Sequence, residues 1–324
     1  MNLLVTGGSG FIGSNFINYW LGKHPQDQVT NVDNLTYAAD PGFLPSSGSK
    51  DSYVFVRASI CDFDEMRQVT KNSDVIINFA AESHVDRSIE DPSDFVETNI
   101  VGVHTLLQIA KESRIRFHQV STDEVYGSLS LKGNEKFTNS SPYNPRNPYA
   151  ASKAAADFMV RAYHNTYGLP ATISNCSNNF GPMQYPEKLI PKAILSAFLG
   201  KPISLYGDGR QVRDWIFVRD HCSALEIILE SGNYGSTSLV GAENETSNLE
   251  TIKILLEVMG LPDTPVRFVK DRPGHDVRYA IDPSDFRKQY GWAPQVPFRE
   301  GLKNTVEHYV SLKDKYYKRI NRQT

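Results

Sequence analysis

Tyr149 and Lys153 stand four residues apart, a spacing that puts a phenol and an ammonium on one face of a helix. A free tyrosine ionises near pH 10 and is a poor base at neutral pH. Bringing it to about pH 7 takes about 4 kcal/mol, which two close cations in a low-dielectric cleft supply. Lys153 is one such cation. A second group is Ser121-Thr122-Asp123-Glu124, a hydroxyl donor followed by adjacent carboxylates. If both carboxylates face one cleft, mutual repulsion keeps one protonated, and the pair becomes an acid and a base. Elimination of water needs that combination. Each group alone is common: a Tyr-x-x-x-Lys often lies on a surface helix, and Asp-Glu often sits in an ordinary loop.

A third group gives the first two their setting. Gly7-x-x-Gly10-x-x-Gly13 joins an apolar run to a helical pattern, with Phe11 and Ile12 inside the turn. Glycines let backbone N–H groups approach a pyrophosphate, and the helix N-terminus adds partial positive charge. Asp33, about 20 residues on, is placed to accept from a ribose 2′-OH and to repel a 2′-phosphate. Asn34, not an arginine, follows it. NAD is therefore expected rather than NADP, and its nicotinamide ring is the second cation for Tyr149.

The elements that must hold these groups alternate. Strands are expected at residues 3–6, 29–33, 53–58, 75–81, 115–121 and 171–175, with helices at 11–23, 94–112 and 149–167. Such alternation implies right-handed crossovers and an α/β fold, a Rossmann-type doubly wound parallel sheet. Loop signals thicken beyond Ser177, and helices are expected at 249–259 and 298–312. The chain is thus divided into an NAD-binding domain at 1–177, with a return segment around 203–240, and a smaller α/β C-terminal lobe mainly at 178–324 that binds substrate. Residues 41–52 are Gly/Ser-rich and read as a flexible surface loop. The basic tail KDKYYKRINR reads as a solvated helix end.

Composition narrows the classes. In 324 residues the net charge is −3, so no basic field invites nucleic acid or an anionic membrane. Three scattered cysteines, Cys61, Cys176 and Cys222, suit a reducing compartment better than a disulfide framework. No metal is expected. The N-terminus lacks a basic signal-peptide region, and no apolar run approaches membrane-span length, so a cytoplasmic protein is expected.

The segments GGSGFIG, NFAAESHVDRSI, STDEVYG, NPYAASKA, NCSNNFGP, PEKLIP, GDGRQVRDWIFVRDH and DRPGHDVRYAID resemble the extended short-chain dehydrogenase/reductase family. Within it they look like the dTDP-glucose 4,6-dehydratases. The first and fourth segments are shared with sugar epimerases; Asp123-Glu124 and DRPGHD are more specific to the dehydratases. The resemblance implies that Tyr149 takes the 4-OH proton as C4 gives hydride to NAD, with Thr122 bonded to the hydroxyl and Lys153 holding the ribose. Glu124 would then take the C5 proton, Asp123 would protonate the departing 6-OH, and the hydride would return to C6. It further implies that Ile60, Asp62, Ala80, Ala81, Asn99 and Asn178 surround the cofactor, Asn99 as the family's structural or proton-relay asparagine. Ser83 and Asn178 would touch the hexose, and Glu187, Lys188 and Leu189 the nucleotide. Arg213 and Arg272 would hold the diphosphate in a pocket completed by Tyr206, Asn248, His275 and Tyr279.

Some positions depart from the family pattern. Ser59 stands where an aspartate commonly contacts adenine, Phe180 replaces a tyrosine, Val277 an arginine, and Ala39-Asp40 an Ala-Gly. Ile60 and Asp62 are the substitutes for the adenine contact. Arg213 has a bland alternative, pairing with Asp214 or Asp220, and His84 and His275 another, as structural histidines. The readings beside the dehydratase of dTDP-glucose are a dehydratase of UDP-glucose, a related 4-epimerase and a non-catalytic NAD-binding scaffold. Relatives pair through two long helices, so a homodimer through residues 94–112 and 149–167 is expected, with Leu106, Leu107 and Met159 as compatible apolar positions.

Overall fold

A computed structural model describes residues 1–45 and 52–321, with side chains to residue 317. The alternating apolar runs become strands β1 (Asn2–Thr6), β2 (Gln28–Val32), β3 (Tyr53–Val56), β4 (Val75–Asn78), β5 (Arg116–Thr122) and β6 (Ala171–Cys176). The helices around them are α1 (Phe11–Lys23), α2 (Phe63–Val69), α3 (Val85–Glu90), α4 (Ser93–Val96), α5 (Val103–Ser113) and α6 (Pro148–Tyr167). Beyond them come β7 (Asn178–Phe180), α7 (Leu189–Phe198), β8 (Ile203–Tyr206), β9 (Val212–Phe217), α8 (Val218–Ser231) and β10 (Thr237–Val240). The chain ends with β11 (Glu245–Ser247), α9 (Asn248–Met259), β12 (Val266–Val269), α10 (Ser284–Tyr290), α11 (Phe298–Ser311) and α12 (Lys313–Asn321).

A seven-stranded sheet runs β10-β6-β5-β4-β1-β2-β3, every pair parallel. This is the expected Rossmann-type doubly wound sheet. Strand order reverses beside β1, so the crevice outside the carboxyl ends of β1 and β4 is where a ligand binds in such folds. β4 is apolar apart from Asn78 and wholly buried, as a strand covered on both faces must be. One apolar layer packs α1 and α8 on the sheet, with Phe16, Trp20, Leu225 and Ile228 buried. The other packs α5 and α6, with Leu106, Leu107 and Val160 buried.

After β6 the chain leaves this sheet. β9 pairs with β7 in parallel and with β11 antiparallel, and β8 pairs with β12. These short sheets enclose a separate apolar cluster with α7, α9 and α11. α8 and β10 then return to the large sheet.

Several boundaries differ from expectation for physical reasons. The strand foreseen over residues 75–81 stops at Asn78, where the chain turns under the glycine-rich loop and Phe79 N bonds Thr6 O at 3.0 Å. The helix foreseen over 94–112 is interrupted by a π-turn at Glu97–Gly102. Buried Asn99 lies in that turn and binds the 82 backbone in both directions, at 2.9 and 3.0 Å. The basic tail is not simply solvated: Tyr316 is buried against Tyr309, ring centroids 4.5 Å apart, and Lys315 pairs with Asp40 at 2.8 Å. Half of the Gly/Ser-rich loop foreseen at 41–52 lies outside the described residues; Pro41–Phe43 within it forms one 3-10 turn capped by Asp40. Among the described residues no helix is long and apolar enough to cross a membrane.

Candidate active site

The carboxyl ends of β1, β2, β4, β5 and β6 open into one cavity of about 610 Å³ that continues to β8, β9 and the loop before Tyr279. Gly7, Gly10, Phe11, Ile12 and Gly13 form its floor. Gly7 has φ +68, and a Cβ there would lie 2.5 Å from the Ala80 nitrogen. A Cβ at Gly13 would lie 2.5 Å from the Gly7 carbonyl, so the turn closes only with glycine at both positions. Gly10 caps α1 without a side chain, leaving the first N–H groups of the helix facing the cavity.

Asp33 directly follows β2, its carboxylate accepting from Ser9 N at 2.9 Å and Leu35 N at 2.8 Å. Burial raises its pKa, while those backbone donors work the other way. The carboxylate is thus held in place at the cavity wall beside Asn34. Ala80, Ala81 and Ile60 line the same end, which suits an adenosine half. Asp62 does not: it caps α2, accepting from Glu65 N at 3.0 Å, and is absent from the lining. Ser59 lines the cavity itself. Asn99 also stands outside, its amide spent on residue 82 and on Ser152 Oγ at 2.8 Å. We expect Asp33→Ser to weaken NAD binding about ten- to a hundredfold, the worth of a hydrogen bond to a charged group, and to lose discrimination against NADP; calorimetric titration with both cofactors checks this.

α6 begins at an Asn147 cap, with Pro148 in its first turn, and aims Tyr149 and Lys153 into the cavity. Lys153 is buried, and its Nζ donates to Val120 O at 2.7 Å. The chain by itself does not lower the phenol's pKa. Burial raises the Tyr149 pKa well above its ordinary value, and Glu124, Cys176 and Asp123 add to it. A nearby positive ring is therefore all the more needed for Tyr149 to act as a base.

β5 delivers Thr122 to the same wall, and the chain turns at once into a 3-10 turn carrying Asp123 and Glu124. The two carboxylates differ as an acid and a base must. Asp123 is fully buried just behind the lining, with Oδ2 unpartnered. Burial raises its pKa well above the ordinary range, with the Glu124 and Asp214 charges adding to it. Glu124 is half-buried and lines the cavity. Its pKa is raised by burial too, but Arg272, Lys188 and Arg213 oppose that. Burial lifts both carboxyls, and the three cations that face Glu124 separate the pair.

The far half of the cavity is cationic. Lys188 Nζ donates to Ser83 O at 2.8 Å, and Glu187 accepts from Tyr37 OH at 3.0 Å. Arg213 pairs with neither Asp214 nor Asp220, whose carboxylates accept from backbone N–H groups of residues 242, 244, 295 and 296. It lies over the Tyr279 ring at 4.3 Å and donates to Asp276 O at 2.9 Å. Tyr279 OH in turn reaches Glu124 Oε2 at 3.4 Å. Ser83, Asn178, Leu189, Tyr206, Asn248, Arg272 and His275 complete the lining. His275 bonds Asp271 at 2.6 Å, and burial pushes its pKa down to about 4.

Asp86 was not foreseen. It accepts from Tyr206 OH at 2.9 Å and from Arg272 at 3.1 Å, tying α3 to the DRPGHD loop. The sequence signal was its place in NFAAESHVDRSI, one of the segments that carry the family resemblance.

The chain is matched over residues 4–305 by the family model described as GDP-mannose 4,6 dehydratase. It is 47% identical over 333 residues to the dTDP-glucose 4,6-dehydratase of Haemophilus influenzae, covering 96% of this chain and 98% of that one. The chain belongs to the dTDP-glucose 4,6-dehydratase family. A crystal structure of the family member from Streptomyces venezuelae, with NAD bound, superposes with a TM-score of 0.94 at 43% identity, covering 98% of this chain and 100% of that one. A UDP-glucose 4-epimerase from Thermotoga maritima shares the architecture at 26% identity and a TM-score of 0.89, covering 97% of this chain and 100% of that one. The family fold is therefore common to dehydratases and epimerases, and the residues at the site must separate the two chemistries.

Proposed function

We propose that this chain is an NAD-dependent hydro-lyase that converts dTDP-glucose to dTDP-4-keto-6-deoxyglucose and water. The observation that carries this reading is the unequal Asp123–Glu124 pair beside Tyr149 and Lys153 in a cavity floored by the Gly7–Gly13 turn. A 4-epimerase needs the tyrosine but no C5 base, and a scaffold needs neither.

When bound, NAD supplies a hydride acceptor at C4 that gives the hydride back at C6, so no net oxidation occurs. Tyr149 takes the proton of the sugar 4-OH, to which Thr122 donates a hydrogen bond, and the Lys153 ammonium supports the phenolate. The ketone formed at C4 acidifies C5–H, and Glu124 removes that proton. Asp123 gives its proton to the departing 6-OH, which leaves as water; a proton is then restored to C5. Arg213 and Arg272 face the diphosphate, a role that suits guanidinium forks in a chain with no basic surface field, and Lys188 lies on the nucleotide path. The domain that binds NAD is residues 1–177 with a return that is shorter than the 203–240 expected: β8 and β9 pair within the smaller sheets, α8 and β10 make the return, and the remainder is the sugar-nucleotide lobe.

The test is incubation of the purified protein with dTDP-glucose and with UDP-glucose, no NAD added, and product analysis by mass spectrometry and NMR. Loss of one water from dTDP-glucose alone upholds the reading. The same product from UDP-glucose alone keeps the mechanism and overturns the substrate. No water loss from either, with NAD then supplied, overturns the activity.

We also propose a cytoplasmic homodimer paired through the helices around residues 94–112 and 149–167. Leu106 and Leu107 do not serve this pairing, being fully buried in the core. Phe158, 54% exposed, and Val101, 47% exposed, mark an apolar face with Ala151 and Ala162 that supports it. Phe158→Arg is expected to convert a dimer to a monomer in light scattering; a monomeric wild type at working concentration would overturn the proposal.

A further inference from the structure

Tyr149, Lys153 and Asp157 form one stripe along α6, each a turn below the last. Asp157 is fully buried. Its Oδ2 gathers three donors: Ser121 Oγ at 2.8 Å, Tyr143 OH at 2.9 Å and Asn175 Nδ2 at 3.1 Å. Two of these lead to the end of β5. Ser121 is the residue before Thr122, and the Asn175 amide also donates to Thr122 O at 3.1 Å. The carboxylate therefore ties α6, β5 and β6 together directly beneath the turn that carries Thr122, Asp123 and Glu124. Its other oxygen, Oδ1, is buried and unpartnered.

The same carboxylate answers an electrostatic need. A lysine as buried as Lys153 is pushed towards its neutral form, and the Asp157 carboxylate, one turn along the same face, is the first charge that opposes this. Burial likewise raises the pKa of Asp157, and the Lys153 charge with the Ser121, Asn175 and Tyr143 donors works the other way, so each group favours the charged form of the other. The other groups around the stripe are Cys176 on β6, a thiol whose pKa burial pushes up to about 12, and Tyr143, whose hydroxyl also accepts from Arg161 at 2.8 Å. Asp123 and Glu124 bear on Tyr149 from the end of β5.

We propose that Asp157 is a positioning residue for the reaction, holding the end of β5 against α6 and supplying the buried counter-charge of the Lys153 ammonium. This rests on the dehydratase reading for its kinetic consequence, but the charge on Lys153 is measurable without turnover.

The experiment uses the NAD-loaded enzyme labelled with ¹³C at lysine Cε, the Lys153 signal being assigned by its loss in Lys153→Met. Its titration is followed by NMR in the wild type, in Asp157→Asn, which removes the charge and keeps the shape, and in Asp157→Glu, which keeps the charge and disturbs the hydrogen bonds. Asp157→Asn is expected to lower the Lys153 midpoint by about one pH unit or more, with Asp157→Glu nearer the wild type. Turnover of dTDP-glucose by Asp157→Asn is expected to fall about tenfold or more at neutral pH, and the deficit is expected to grow as pH rises. A Lys153 midpoint unmoved in Asp157→Asn, with a deficit that does not vary with pH, would reduce Asp157 to a structural group and overturn the proposal. Asp157→Ser, also neutral, makes the same test if the amide variant is unstable. A wild type that titrates as described but does not dehydrate dTDP-glucose would sink the proposed activity and leave the assignment of Asp157 to be judged by the midpoint.

Discussion

Tyr149→Phe is expected to lower kcat on dTDP-glucose by about 10²- to 10⁴-fold, the range for loss of a general base, with KM changed little. The phenol sits at the start of α6 with its ring edge-on to Phe95, centroids 6.4 Å apart, and its backbone N–H on Ser88 Oγ at 3.3 Å. Phenylalanine keeps those contacts, so the fold and the glycine-rich turn persist. What disappears is the acceptor for the 4-OH proton. Unchanged substrate is the expected material after quenching, with no solvent deuterium at C5, because C5–H is acidic only once C4 is a ketone. Product formation near the wild-type rate would remove Tyr149 from the reaction.

Glu124→Gln is expected to lower formation of the 4-keto-6-deoxy product by a comparable factor, about 10²- to 10⁴-fold, but to stop at a different point. Oxidation at C4 does not use this carboxylate, so a 4-keto hexose nucleotide that has lost no water is expected. Its amount should not exceed one per active site, since regeneration of the cofactor needs the later steps. Mass spectrometry after acid quench separates the two variants: substrate mass for Tyr149→Phe, a species two hydrogens lighter for Glu124→Gln. A Glu124→Gln enzyme that still releases water at the wild-type rate would move the base elsewhere. Glutamine retains the contact made to the Glu124 side chain by Tyr279 OH at 3.4 Å, so positions around it should hold.

The Asp123 carboxyl has the opposite requirement. It must carry a proton to release water, and burial lifts its pKa, so its contribution is present at low pH and is lost as pH rises through that raised value.

Much of the chemistry was legible from local spacing. A Tyr-x-x-x-Lys on a helix needs no tertiary information to put both groups on one face, because the helix repeat does so. The Gly7-x-x-Gly10-x-x-Gly13 turn and Asp33 are equally local: a strand, a close backbone approach and the next strand end determine where a dinucleotide can lie. The alternation that predicted a parallel sheet is a property of crossovers, which have one favoured hand. Length signals were weaker. Residues 79–81 are as apolar as β4, yet they leave the sheet because the Gly7 backbone must pass against Ala80.

What no spacing revealed depends on which distant residues cover a group. Asp62 was carried to the cofactor by resemblance and instead spends its carboxylate on the α2 backbone. Asn99, carried there as a structural or proton-relay asparagine, stands outside the cavity, its amide tied to residue 82 and Ser152. Asp86 and Arg272 meet across 186 positions of sequence. Asp123 and Glu124 are neighbours of nearly the same intrinsic acidity, and the chain order cannot tell which keeps its proton. Packing does: it seals Asp123 behind the wall and leaves Glu124 facing Arg272, Lys188 and Arg213. Sequence spacing thus named the reacting groups, because they act over one helical turn or one strand end. Folding assigned their acidities and partners, because desolvation and charge are set by residues brought from far along the chain.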